Sequence, residues 1–245
     1  MSNCFDAFLV LLCKKHVAIP TSTRWRVAQW LEIRWWQRYL ASQAPSAYRQ
    51  QKISYWQRVL QRMDMAPPDE ARLLDAGCGP AGIFLAFPRH QVDALDPLLT
   101  AYATKLEHFE PSLHPQTNFI TQALEELRAE ATYDYVFCLN AINHVADWEQ
   151  SLLRLTVAAK PGATLLLGVD VHNKAWLKAV FRSLPGDVLH PHQHQRNDYR
   201  KALEDLGWHI ERTHTWSKGI VFDYWLVKAV LRYPEKNRPL NGDGL

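Results

Sequence analysis

The chain reads as an α/β protein, a doubly wound and mostly parallel sheet of seven strands preceded by a helical extension. Three observations predict this. From residue 72 onward, short apolar runs alternate with amphipathic segments, the pattern of strands joined by crossovers. The first run, Leu73-Leu-Asp-Ala, ends in an acid and opens into the glycine-rich turn Gly77-Cys-Gly-Pro-Ala-Gly82. The region before residue 70 instead repeats apolar and aromatic residues at helical spacing.

Taking the elements in order, Phe5 to Cys13 is too short to span a bilayer and lacks a basic leader and a small-residue cleavage site. It reads as a docking helix, with Lys14 and Lys15 directly after it keeping a peripheral membrane contact open. Val27, Trp30, Leu31, Trp35 and Tyr39 predict one amphipathic helix, and Tyr48, Tyr55, Trp56, Val59 and Met63, past Pro45, predict a second. Residues 1–70 carry +5 of formal charge and the remainder −2, so the basicity is local. Arginines interleaved with five tryptophans admit a nucleic-acid surface. Aromatic faces turned inward, with arginines on the opposite side, make a solvated helix face the better account.

Strands are predicted at 72–76, 92–96, 117–121, 134–139, 163–169, 208–214 and 221–229, the last two forming a hairpin. Asn197 or Asp198 is positioned to cap the helix before residue 207, and Gly207 to end it in a left-handed turn. Residues 1–70 thus form a helical extension, 71–233 the main domain, and 234–245 a flexible tail rich in Pro, Asn, Asp and Gly. A composition 47% hydrophobic and 22% charged is ordinary for a globular protein. Cysteines at 4, 13, 78 and 138 show no paired metal spacing, so a reducing cytoplasm is the simplest setting.

Gly77, Gly79 and Gly82 fit the G-x-G-x-x-G spacing that lets backbone approach a nucleotide cofactor. Asp96, closing the second predicted strand 19 residues after Gly77, stands where a carboxylate meets ribose hydroxyls. Asp75 narrows the choice, because a carboxylate there disfavours a pyrophosphate and welcomes an ammonium group. The segment Asp75-Ala-Gly-Cys-Gly-Pro-Ala-Gly82 resembles the first motif of class I S-adenosylmethionine-dependent methyltransferases, which have a Rossmann-like fold. Tyr133–Asn140 and Ala159–Gly168 resemble later motifs of that family in the expected order, and the similarity covers roughly residues 70 to 230.

The resemblance implies S-adenosylmethionine as cofactor, a lid made by the N-terminal helices that brings some of Tyr48, Lys52, Tyr55 and Trp56 near the active site, and a set of residues to hold the cofactor. Asp75, Gly77, Cys78, Gly79 and Gly82 would take the methionine end and Asp96 the ribose, with Pro97 and Leu139 completing the set. Phe119–Leu127 resembles the segment that cups adenine, placing Gln122, Ala123 and Leu124 there. Ala123 stands where many relatives have an aspartate, leaving that contact to Gln122 or a backbone carbonyl. The competing reading, an NAD-binding oxidoreductase, lacks a second domain after Asp96 for a hydride acceptor.

Methyl transfer is an in-line displacement that needs a base only if the acceptor must lose a proton. His144, four residues past Asn140, is the first candidate and His192 the second. His190, His192 and His194 alternate as metal ligands do, but no carboxylate or cysteine completes a set, so no metal is expected. After the fourth strand the chain lacks the Asn or Asp, two prolines and aromatic that amino-methyltransferases of nucleic-acid bases carry. The expected acceptor is therefore a small molecule. An RNA methyltransferase acting on other atoms, and a non-catalytic cofactor-binding scaffold, stay open. So do oxygen, nitrogen or carbon as the methylated atom, and a homodimer formed through the N-terminal helix.

Overall fold

The computed structural model describes residues 23–172, 194–219 and 222–232, with side chains from residue 29 onward in the first helix. The predicted docking helix, His190, His192 and the tail after residue 233 lie outside the described residues.

Seven strands form one sheet in the order β3-β2-β1-β4-β5-β7-β6. They are β1 (Arg72–Ala76), β2 (Gln91–Leu95), β3 (Thr117–Ile120), β4 (Tyr133–Leu139), β5 (Ala159–His172), β6 (Trp208–Lys218) and β7 (Phe222–Leu231). All neighbours among β1 to β5 are parallel, while β7 runs antiparallel between β5 and β6. The predicted terminal hairpin is therefore present, and its second strand is the one inserted next to β5. Among the described residues, five α-helices flank the sheet: α1 (Thr23–Leu40), α2 (Pro45–Met63), α3 (Leu99–Lys105), α4 (Trp148–Ala158) and α5 (Arg196–Asp205).

Because successive strand residues face opposite ways, the apolar runs build two cores. Leu73, Leu166 and Leu226 pack under α2 with Trp56, Val59 and Met63, whereas Leu74, Leu165 and Val227 pack under α4 and α5 with Leu155, Tyr199 and Trp208.

Pro45 occupies the first turn of α2, where a missing N–H costs nothing, and Asp64 ends it in a left-handed cap at φ 54°. The α5 start differs from expectation. Gln195 is the N-cap, and Asp198 sits three residues on, accepting the Gln195 N–H at 2.9 Å to close a capping box. Gly207 follows in the left-handed region, as anticipated.

Two further features concern the site. After β1 the chain makes short 3-10 turns, Gly79–Ala81 and Ile83–Ala86. With Pro80 and Gly82 inside it and Pro88 following, the segment has too few helix-forming residues to propagate. In α1 the aromatic face is not buried: Trp30, Trp35 and Tyr39 are 53%, 52% and 46% exposed. That helix packs through Ile33 and Leu40, with Trp36 partly buried. The predicted burial does hold for Tyr48, Trp56, Val59 and Met63 of α2.

Candidate active site

The C-terminal ends of β1, β2 and β4 converge where strand order reverses between β1 and β4, the place open α/β sheets leave a crevice. There a cavity of about 830 Å³ lies beneath α1 and α2. Its size is that of a site for a nucleoside-sized cofactor with room beside it.

The floor is the turn after β1. Gly77 sits at φ 71° and Gly79 at φ 56°, conformations that side chains rarely tolerate. The Gly77 and Cys78 amides donate to the Leu95 carbonyl at 2.7 and 3.1 Å, tying the turn to the end of β2. A Cβ on Gly77 would collide with Ala141, whereas one on Gly79 would meet nothing within 4 Å. The second glycine therefore opens onto the cavity, which is what close approach of backbone to a ligand requires.

Asp96 closes this floor. One carboxylate oxygen accepts the Gly79 N–H at 3.0 Å and the other the Leu98 N–H at 2.8 Å. A carboxylate has about four acceptor positions, so the group can still receive hydroxyls from the cavity. Burial, and then the charge of Glu32, raise its pKa to about 7. Asp75 lies deeper, behind the turn. It accepts the Phe84 N–H at 3.0 Å, and burial raises its pKa to about 7. A Cβ on Gly82 would collide with it.

Of the residues anticipated for the cofactor, Gly77, Cys78, Gly79, Asp96, Pro97, Ala123, Leu124 and Leu139 line the cavity. Asp75 and Gly82 do not; they shape the turn from behind. Gln122 is also outside the lining, its side-chain amide donating to the Glu126 carbonyl at 2.8 Å. That bond rests on the 3-10 turn Leu124–Glu126, which the sequence did not disclose. His144 lines the cavity, on the segment after β4 where the His144 N–H donates to Ala141. Asn140 beside it holds a left-handed φ of 56°, a strained conformation of the kind found at ligand sites.

The roof comes from the N-terminal helices, and its α1 residues were not legible in the sequence. Gln29, Glu32, Trp36 and Tyr39 form one stripe of α1 toward the cavity, and Lys52, Tyr55 and Trp56 contribute from α2. Glu32, the sole acid of α1, accepts the Tyr102 hydroxyl at 2.9 Å, and burial raises its pKa. A single carboxylate in a basic helix was the available signal. The Lys52 ammonium lies 5.8, 5.4 and 5.5 Å from the ring centres of Tyr48, Tyr55 and Trp56. Burial lowers its pKa. Trp56 anchors this roof to the floor through a 3.0 Å bond from its indole N–H to the Ala81 carbonyl. The wall toward β5, β6 and β7 presents Asp170, Ser217 and Tyr224.

A methyltransferase domain model matches residues 48–213, two thirds of the chain. The chain belongs to the class I S-adenosylmethionine-dependent methyltransferases. A ubiquinone biosynthesis O-methyltransferase of Rickettsia bellii (strain OSU 85-389) is 27% identical over 152 residues, 61% of this chain and 55% of that relative. The chain thus spans about half the length of that relative. Among solved structures, Burkholderia thailandensis 1,6-didemethyltoxoflavin-N1-methyltransferase, with 1,6-didemethyltoxoflavin and S-adenosylhomocysteine bound, superposes with TM-score 0.57 at 16% identity, covering 89% of this chain and 94% of that one. The [4+2]-cyclase SpnF superposes equally well, TM-score 0.57 at 15% identity, covering 74% of this chain and 81% of SpnF. Likeness at this level shows the fold, and the fold alone carries more than one chemistry.

S-adenosylmethionine is the cofactor of this family, and the cavity fits it. Gly79 leaves space above the floor, and the lining supplies both a carboxylate and an ammonium for a zwitterionic ligand. Among the described residues, no group of three or more His, Cys, Asp and Glu could hold a metal ion, and no helix is long and apolar enough to cross a membrane.

Proposed function

We propose that this chain transfers the methyl group of S-adenosylmethionine to a small-molecule acceptor, with α1 and α2 as a lid on a catalytic domain that begins near residue 71. The observation that carries this reading is the single continuous cavity. Its lining brings the glycine turn and Asp96 together with the aromatic and polar side chains of Tyr55, His144 and Tyr224.

When bound, the cofactor supplies an electrophilic methyl group on a sulfonium. Asp96 takes the ribose hydroxyls, and Pro97 and Leu139 flank the cofactor. Ala123 and Leu124 pack on the adenine, with the backbone of this stretch taking the polar contact, since the Gln122 side chain is engaged elsewhere. Gly77, Cys78 and Gly79 present backbone to the methionine end. Asp75 acts by holding the turn through Phe84. Lys52 is placed to meet the cofactor's carboxylate: a half-buried ammonium among three rings keeps its charge more readily beside an anion. The lid excludes water and aligns the acceptor, the main tasks of a protein in a direct displacement. His144 and Asp170 are the cavity's candidate proton acceptors on the acceptor side.

The buried, unbridged Cys78 and Cys138 agree with a reducing cytoplasm. Supplying S-adenosylmethionine with a panel of small hydroxyl, amine and thiol compounds and measuring released S-adenosylhomocysteine tests the reading. Release that depends on one of these compounds supports it. Cofactor binding with no transfer to any of them would favour a scaffold that kept the fold and lost the chemistry.

A further inference from the structure

The Tyr224 hydroxyl has no hydrogen-bond partner, although it is shut off from solvent. A buried phenol without a partner is destabilising, so an orphan of this kind calls for an explanation. Tyr224 lines the cavity, and the sequence makes room for it there: any side chain at Gly168 would run into its hydroxyl and into Leu139.

Its neighbours form a row across three strands. Tyr224 of β7 pairs with Asp170 of β5 on one side and with Ser217 of β6 on the other. Directly paired residues in antiparallel strands project from the same face, with Cβ atoms about 5 Å apart. All three residues line the cavity, on the face covered by α2 and close to Tyr55. Burial, then Tyr55 and Asp170, hold the Tyr224 phenol protonated far above its ordinary range. It is therefore a dedicated donor, set beside a carboxylate that can only accept.

We propose that Tyr224 and Asp170 form the acceptor station of this cavity, where Tyr224 donates to a hydroxyl oxygen of the acceptor and Asp170 takes that hydroxyl's proton. Resting on the methyl-transfer reading above, this assigns O-methylation of an alcohol or phenol. A hydroxyl is the group that satisfies both partners, offering a lone pair to Tyr224 and a proton to Asp170. An alkylammonium has no lone pair for the phenol, and the lone pair of an aryl amine is delocalised into its ring. Tyr55, Trp35 and Tyr39 along the same cavity favour an aromatic body. In the step itself the acceptor oxygen bonds to the methyl carbon as the carbon–sulfur bond breaks. The electron pair stays on sulfur, giving the neutral thioether, and the proton passes to the Asp170 carboxylate.

Turnover of catechol, 1-naphthol and benzyl alcohol, beside 1,2-diaminobenzene, 1-naphthylamine and thiophenol, tests this with S-adenosylhomocysteine release as readout. The hydroxyl compounds should be the ones methylated. For the best of them, Tyr224→Phe should raise KM about tenfold, the loss expected for one hydrogen bond. Asp170→Asn should leave KM within about threefold and lower kcat about a hundredfold, the usual scale of a lost base. Both variants should bind S-adenosylhomocysteine like wild type, which separates loss of the station from loss of the fold. Methylation confined to amines or the thiol, no methylation of any hydroxyl compound by protein that binds S-adenosylhomocysteine, or a Tyr224→Phe variant with unchanged KM would each overturn the assignment. Wild type that binds no S-adenosylhomocysteine would instead overturn the methyl-transfer reading beneath it.

Discussion

The Asp96 carboxylate accepts the Gly79 amide at 3.0 Å, fastening the end of β2 to the middle of the glycine turn that follows β1. The same bond orders the floor of the cavity and fixes an acid at its edge. That acid is expensive to keep ionised without a ligand, because burial and Glu32 raise its pKa to about 7, and burial does the same to Asp75.

Stability should follow that arrangement. A carboxyl whose pKa is higher in the folded than in the unfolded chain binds its proton preferentially in the folded state, so stability falls as pH rises between the two values. For Asp75 and Asp96 the window runs from about 4, the unfolded value, to about 7. The ligand-free protein should therefore melt at a higher temperature at pH 6 than at pH 8, with a smaller difference in Asp75→Asn/Asp96→Asn. Asp93 works in the opposite sense at lower pH. Its own burial is outweighed by bonds from Arg72, Asn118 and Tyr133 that hold its pKa down. Thermal melts across pH check both limbs, and equal slopes in wild type and double variant would refute the assignment to these two acids.

Gly77→Ala and Gly79→Ala should part company. Both force an alanine into a left-handed conformation, at about 1 kcal/mol, but only the first also drives a methyl group into Ala141. Gly77→Ala should lower the melting temperature more than Gly79→Ala does. Gly79→Ala should remain folded and lose affinity for S-adenosylhomocysteine, because its methyl group projects into ligand space. Melting curves and binding isotherms of the pair decide this.

What the sequence disclosed follows the range of the interactions involved. Strand positions and the glycine turn are local patterns, and the predicted strands from 72–76 to 221–229 correspond to those found, with β5, β6 and β7 extending beyond their predicted ends. Asp96 was legible from its spacing to Gly77. The α1 part of the cavity roof was not, because the side of α1 that faces the sheet depends on how Ile33 and Leu40 pack, and its tryptophans are equally at home inside or out. Nor was the row Ser217, Tyr224, Asp170, which exists only once β7 inserts between β5 and β6. The Gln195 cap was missed because glutamine is an uncommon N-cap residue.

Lys52→Met separates binding from stability. The apolar replacement keeps the contacts with Tyr48, Tyr55 and Trp56 and removes a charge that burial disfavours, so the melting temperature should hold or rise. Affinity for S-adenosylhomocysteine should fall roughly tenfold or more, as expected for a lost charged hydrogen bond. Unchanged affinity would remove Lys52 from the cofactor's carboxylate end.

Trp56→Phe keeps the ring in its packing site and deletes the bond to the Ala81 carbonyl that joins α2 to the glycine turn. It should cost about 1–2 kcal/mol, since the buried carbonyl is left unpaired. Denaturant unfolding of the variant beside wild type measures that loss.

Titration calorimetry with S-adenosylhomocysteine, wild type beside Asp96→Ala, tests most directly whether the floor built by Gly77, Gly79 and Asp96 is the cofactor site. Saturable binding of one equivalent by wild type, abolished or weakened at least about tenfold in a folded Asp96→Ala, is the predicted result. No heat from well-folded wild type, or an isotherm unchanged by the substitution, would contradict the account.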